Sequence, residues 1–402
     1  MKIIENGNLT LVRGIKASGI HCGIKSGSKK DLALIYSESL ATAAGVFTNN
    51  LVSAAPIHIC KENLLDHQAR SIIINSGIAN AATGEKGIDD ARQMAYLTAS
   101  ALQIHTNSVL VSSTGKIGEY LPMEKIASGI QKAASSLSID GGQNAAEAIM
   151  TTDTFPKQIA VRIKMAGTDV NLAGIAKGAG MIRPNMATML AFLVTDAAVE
   201  ANLLQDCLRN AVNQTFHRIT VDGDTSTNDM VILMANGLSG IEAISSESKD
   251  ANKFIDAVEF ICQKLALMIV NDGEGATKLI CIHVKGALSE KDAEKIAFRI
   301  AESPLVKTSL FGEGCNWGRV MAAAGSAGIF VDPKKIDIFY GSVQVVQKGT
   351  GFALKTEKVL KTYLKSRNIN IDVDLHMGRK SAKVWTTDLT PDYVHINADY
   401  KT

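Results

Sequence analysis

Short apolar runs alternate along this chain with longer stretches in which apolar positions recur at helical spacing. The runs at 71–75, 109–112, 189–194, 231–234 and 279–284 read as strands. The stretches at 89–102, 123–134, 203–214, about 252–269 and about 290–302 read as amphipathic helices. Further on, 336–340, 369–375 and 383–387 look like strands around one helix at 357–364, which predicts a smaller α/β lobe at the C-terminus. The class is therefore mixed α/β. No fixed-period repeat, heptad or low-complexity tract appears, and the 7 prolines are spread out, so no linker divides the chain. Residues 134–143 read as a surface loop leading into a helix before Thr151.

Composition sharpens this picture mainly by exclusion. A chain of 402 residues, 46% apolar and 20% charged, can bury two or three full cores as a soluble enzyme does. Its 42 basic and 40 acidic side chains are interspersed and leave a net charge of +2. Such a surface has no field to draw nucleic acid or an anionic membrane, and small molecules are the expected partners. Cys22, Cys60, Cys207, Cys262, Cys281 and Cys315 form no Cys-x-x-Cys pair, so reduced thiols are expected. The N-terminus lacks the apolar stretch of a secretion signal, and no run is long enough to span a bilayer, which points to the cytoplasm.

The common site signatures are mostly missing. The 8 histidines show no metal-ligand spacing, and no metal is expected. Gly115-Lys116 is followed by Ile117, not the Ser or Thr of a phosphate loop, and Gly312, Gly314 and Gly318 miss the dinucleotide spacing by one residue. No cofactor is expected. Asp222, Asp224 and Asp229 begin like a calcium loop but lack its required glycine, and are read as a turn near a site.

One segment carries chemistry of its own: GIAKGAGMIRPNMATMLAFLVTD, residues 174–196. Gly174, Gly178 and Gly180 permit positive φ, while Pro184 fixes one φ and biases Arg183 toward extended geometry. The apolar run after Thr188 reads as a strand buried on both faces. Thr188 would then stand at the strand's entrance behind a flexible loop. A threonine hydroxyl becomes a competent nucleophile when its own α-amino group is freed to act as base. Attack of the Thr188 hydroxyl on the Ala187 carbonyl, followed by hydrolysis of the ester, would free it. The plain alternative is a β-branched residue entering a strand for which it has good propensity. Likewise Ser112-Ser-Thr-Gly115, after the apolar run 109–111, is either an ordinary turn or a pair of oxyanion donors.

The segment 177–190, KGAGMIRPNMATML, resembles the cleavage-site signature of the ornithine acetyltransferase family, the bifunctional glutamate N-acetyltransferases of arginine biosynthesis. Similar motifs follow that family's order along nearly the whole chain: GVFTNN at 45–50, NSGIAN at 75–80, SSTG at 112–115 and MTTDTFP at 150–156. They continue with DGDTSTND at 222–229, DGEGATK at 272–278, GEGCNWGR at 312–319 and Asn397.

The resemblance implies a layered α-β-β-α sandwich of the self-cleaving Thr/Ser-nucleophile type with a smaller C-terminal α/β lobe. It implies a cut at Ala187–Thr188 into an α chain, 1–187, and a β chain, 188–402, assembled as an α2β2 heterotetramer. It makes Thr188 the nucleophile and Thr114 and Gly115 the oxyanion hole. Thr151, Lys177, Thr188, Glu274, Asn397 and Thr402 would bind substrate. The implied reaction moves acetyl from N2-acetylornithine to glutamate through acetyl-Thr188. Acetyl-CoA stands open as a second donor, because no nucleotide motif decides it. Two other readings remain: a self-cleaving aminopeptidase in which water resolves the acyl-enzyme, and an uncut amino-acid-binding protein.

Overall fold

The structure, a computed structural model, describes residues 1–183, 189–351 and 357–399. Chain order runs β1 (Lys2–Ile4), β2 (Ile15–Ile20), β3 (Leu32–Phe47), α1 (Ala55–Asn63), β4 (Gln68–Ile78), α2 (Gly84–Leu102), β5 (Val109–Lys116), α3 (Met123–Ser135) and α4 (Gly142–Ala148). Then come β6 (Lys157–Met165), β7 (Thr168–Lys177), β8 (Leu190–Thr195), α5 (Ala201–Gln214), β9 (Met230–Ala235) and α6 (Ala251–Asn271). Nine strands form one sheet in the order β1-β6-β7-β8-β9-β3-β4-β5, with β2 also on β3.

This sheet is folded over on itself, and β3 is the hinge. The first part of β3 pairs with β2 and β4, its last part with β9, and the register shifts between Tyr36 and Ala41. Side-chain alternation then sorts the residues into layers. Ile72 and Ile74 of β4 meet Leu190, Phe192 and Val194 of β8 in a core between the two wings. Ala191 and Leu193 face outward to α5 and α6, while Ile73 of β4 faces α2 and α3. The result is the expected four-layer α-β-β-α sandwich, and β8 is buried on both faces, as its unbroken apolar run predicts.

The second lobe adds β10 (Leu279–Ala287), α7 (Glu290–Ala301), α8 (Pro304–Phe311), α9 (Trp317–Gly325), β11 (Asp337–Tyr340), β12 (Val343–Gln347) and β13 (Thr350–Gly351). It continues with α10 (Glu357–Leu364), β14 (Asn368–Asp374), β15 (Lys380–Thr387) and α11 (Pro391–Asp399). Its six strands order as β13-β12-β11-β14-β10-β15 over a separate core. Lys307 of α8 ties the lobes together, its buried ammonium donating to the Val221 carbonyl at 2.8 Å and the Thr387 carbonyl at 2.6 Å. Among the described residues no helix is long and apolar enough to cross a membrane.

Two local expectations change. The glycine-rich stretch begins inside β7 and not in a loop. Gly174 is a strand residue whose missing side chain lets α6 approach, since a Cβ there would lie 2.9 Å from Leu265 Cδ1. Of the three glycines expected to supply positive φ, only Gly178 does, at +150°. In addition, Ser112 to Gly115 is no turn: β5 continues through it to Lys116.

Candidate active site

A cavity of about 340 Å³ opens where the ends of β5 and β7 meet the turn after α6. Thr114, Gly115, Thr151, Lys177, Glu274 and Asn397 all line it, so every described residue expected to act on substrate faces one space. Ala187, Thr188 and Thr402 lie outside the described residues. The strand after Thr188 is nonetheless well fixed. Leu190 pairs with Lys177 of β7 on one side and with Met230 of β9 on the other.

Gly115 owes its place to a close approach of two strands. β4 and β5 run parallel, and their register shifts opposite Gly77. Gly115 has φ +131°, and a Cβ on it would lie 2.2 Å from the Gly77 carbonyl carbon. Only glycine fits, and the bulge ends the regular ladder beside Thr114. Asn228 fastens this strand end to the neighbourhood of β9. Its side-chain amide donates to the Ala79 carbonyl at 2.6 Å and the Ser113 carbonyl at 2.8 Å.

Lys177 is buried, and its ammonium donates to the Thr114 hydroxyl at 3.2 Å. Burial lowers its affinity for a proton, while the carboxyls of Asp153, Asp229 and Glu274 act the other way and nearby Lys157 adds to the lowering. Glu274 occupies the space a side chain on Gly180 would need, its carboxyl carbon 2.4 Å from where that Cβ would stand. Asn397, carried on α11 from the second lobe, donates to Glu274 Oε2 at 2.8 Å.

Sequence reasoning gave no role to several residues that hold this site. Asp229 is fully buried and accepts the Met189 amide at 2.9 Å. Burial pushes its carboxyl well above the usual range, although the Met189 amide, the Lys177 charge and the Ser226 hydroxyl pull the other way. Asp222 accepts the amides of Met181 at 2.6 Å and Ile182 at 2.9 Å, anchoring the stretch that leads toward Ala187. Arg183 is held by Glu302 at 2.7 Å. Asp153, in the stretch 150–156, takes the Thr151 and Gly178 amides at 2.9 and 2.7 Å. Burial opposes its charge, but Lys177 and Lys157 outweigh that and hold its carboxyl down at about 2. The available signal was the density of Asp, Asn and Thr in 150–156 and 222–229, residue types that bond to nearby backbone. Among the described residues no cluster of His, Cys, Asp or Glu is arranged to hold a metal ion.

The ArgJ family profile matches residues 16–402. The arginine biosynthesis bifunctional protein ArgJ of Caldanaerobacter subterraneus subsp. tengcongensis is 49% identical over 406 residues, covering 100% of this chain and 100% of that protein. The protein of the same name from Staphylococcus aureus is 45% identical, covering 100% of this chain and 97% of its own length. Among solved structures, ornithine acetyltransferase complexed with ornithine from Mycobacterium tuberculosis is 36% identical at a TM-score of 0.43, covering 46% of this chain and 97% of that one. With a family match across nearly its full length and relatives approaching half identity end to end, the chain belongs to the ArgJ family.

Proposed function

We propose that this chain is a self-processing acetyltransferase that moves an acetyl group from N2-acetylornithine to glutamate through an acetyl-Thr188 intermediate. The observation that carries the reading is the convergence of two hydroxyls, a buried ammonium, a carboxylate and an amide on one cavity whose Lys177 pairs with Leu190. The names of the full-length relatives, bifunctional proteins of arginine biosynthesis, agree with it.

Cleavage at Ala187–Thr188 frees the Thr188 amine, whose ordinary pKa of roughly 7.7 to 8.0 suits it to act as base near neutral pH. The amine takes the hydroxyl proton as Oγ attacks the acetyl carbonyl. Because Lys177 donates to the Thr114 oxygen, the Thr114 proton is free to point at the developing oxyanion, with the Gly115 amide as second donor. The C–N bond breaks, the proton passes to the leaving amine, and ornithine departs. The neutral amine of glutamate then attacks the acetyl ester, returning the proton to Thr188 and releasing N-acetylglutamate.

Lys177 and Glu274 supply one cation and one anion for the carboxylate and amino groups shared by both amino acids, with Thr151, Asn397 and Thr402 completing the site. The pieces 1–187 and 188–402 stay together because β7 and β8 are hydrogen-bonded neighbours, and they assemble as α2β2. Acetyl-CoA stands as a second acetyl donor that acetyl-transfer assays, run with and without it, would reveal.

Intact-mass measurement under denaturing conditions, beside Thr188→Ala, tests the core of this. Two masses for 1–187 and 188–402 in the wild type, one in the variant, and N-acetylglutamate formed only by the wild type are expected. A single uncut mass in well-folded wild-type protein overturns the mechanism, and acetate released without N-acetylglutamate turns it into a hydrolase.

A further inference from the structure

Behind the cavity lies an ion group that takes no part in the mechanism above. Lys157, the first residue of β6, is fully buried, and its ammonium reaches Asp153 and Asp272 at 2.6 Å each. It also lies 5.0 Å from the centre of the Phe155 ring. Both carboxylates are spent on backbone that leads directly into the cavity wall. Asp153 holds the amide of Thr151 itself and that of Gly178, the residue after Lys177. Asp272 accepts the Thr154 amide at 3.0 Å as well as the Thr154 hydroxyl, and it stands two residues before Glu274. One ammonium therefore joins the three segments that carry Thr151, Lys177 and Glu274.

We infer that Lys157 is a positioning residue for the amino-acid part of both substrates, setting the spacing between Thr151, Lys177 and Glu274 through Asp153 and Asp272. The inference rests on the reading of this cavity as the amino-acid site. Its physical basis is economy of geometry. A buried ion group of this kind adds little net stability, because desolvation cancels most of the attraction and well-packed apolar side chains could replace it. What it does supply is direction: Asp153 is bonded to the Thr151 and Gly178 amides, and Asp272, on the segment of Glu274, is bonded back to Thr154. Displacing opposed binding groups that hold the ground state and the transition state alike weakens both, which raises KM and leaves kcat nearly unchanged.

The test is steady-state kinetics of Lys157→Met and Asp272→Asn in the processed enzyme. Calorimetric binding of ornithine to wild type and variants runs alongside, with Lys307→Met as a control that removes an equally buried ammonium at the lobe junction. Expected is a rise of about tenfold or more in KM for both N2-acetylornithine and glutamate, with kcat within about threefold and weakened ornithine binding. Asp272→Asn keeps the shape of the group and decides the matter if Lys157→Met does not fold. Unchanged KM values, a loss confined to kcat, or the same KM rise in Lys307→Met would each overturn the inference. Wild-type protein that turns over neither substrate and binds no ornithine would overturn the reading of the cavity. Wild-type binding matched by the variants would overturn only the role of Lys157.

Discussion

The two sheets of this molecule are built from similar strands and treat charge in opposite ways. In the larger one the central strands β7, β8 and β9 are covered on both faces, and the charged groups near the strand ends, Lys157, Lys177, Asp153, Asp229 and Asp272, are buried and bonded to named partners. In the smaller sheet Ile280, Ile282 and Val284 of β10 and Ile369, Ile371 and Val373 of β14 face the core, while the alternating positions remain partly open. Its polar contacts, His283 with Asp372 at 3.3 Å and the Lys285–Asp372 ion pair at 3.5 Å, sit on that open side. Charge inside the four-layer lobe is costly to desolvate, and there it lines or braces the cavity. Charge on the second sheet is cheap, and among the described residues that lobe contributes to the cavity through Asn397 of α11.

If this contrast is right, substitutions should separate cleanly. Thr114→Val, which removes the proposed oxyanion donor, should lower kcat about 10²- to 10³-fold and cost about 1–3 kcal/mol of stability because the buried Lys177 ammonium loses that acceptor, read from initial rates beside a thermal melt. An equal loss from any substitution on the open face of the second sheet would break the comparison. Ile371→Ala in the second core should cost about 2–5 kcal/mol of stability while leaving kcat/KM of the folded fraction nearly unchanged, measured by denaturant titration and by activity at low temperature. Asn397→Ala deletes a hydrogen bond of about 1 kcal/mol to Glu274 and should raise KM severalfold at constant kcat. Asp372→Asn should change stability by no more than about 0.5 kcal/mol and activity not at all. A large effect there would show that the open face works.

How far these regions could be read in advance differed in the same way. Runs such as 189–194 and 279–284 announced their strands because burial on both faces, or clean alternation, leaves an unmistakable trace. The hairpin of β6 and β7 was harder to see. Polar residues such as Gln158, Lys164 and Asn171 interrupt it, and Gly174, which looks like a loop residue, is a strand position set by the approach of Leu265. Within the site, Thr114, Gly115, Thr151, Lys177, Glu274 and Asn397 were identified through resemblance, and the fold brings them to one cavity. The group around Lys157 escaped notice because lysine and aspartate are most often solvated. Only the pairing of Lys157 with Ala176 in the β6–β7 hairpin makes burial of that lysine evident.

On the proposed cut between them, the hydrogen-bonded pairing of β7 with β8 would have a kinetic consequence. Before the cut, a short connection brings the two strands together within one molecule, and refolding is first order. Afterwards the same ladder joins separate polypeptides, so re-forming it from the denatured state depends on concentration. The processed protein would be a one-way product of its precursor: assembled while the strands were tethered, and kept by the slowness of separating them more than by any ease of putting them back.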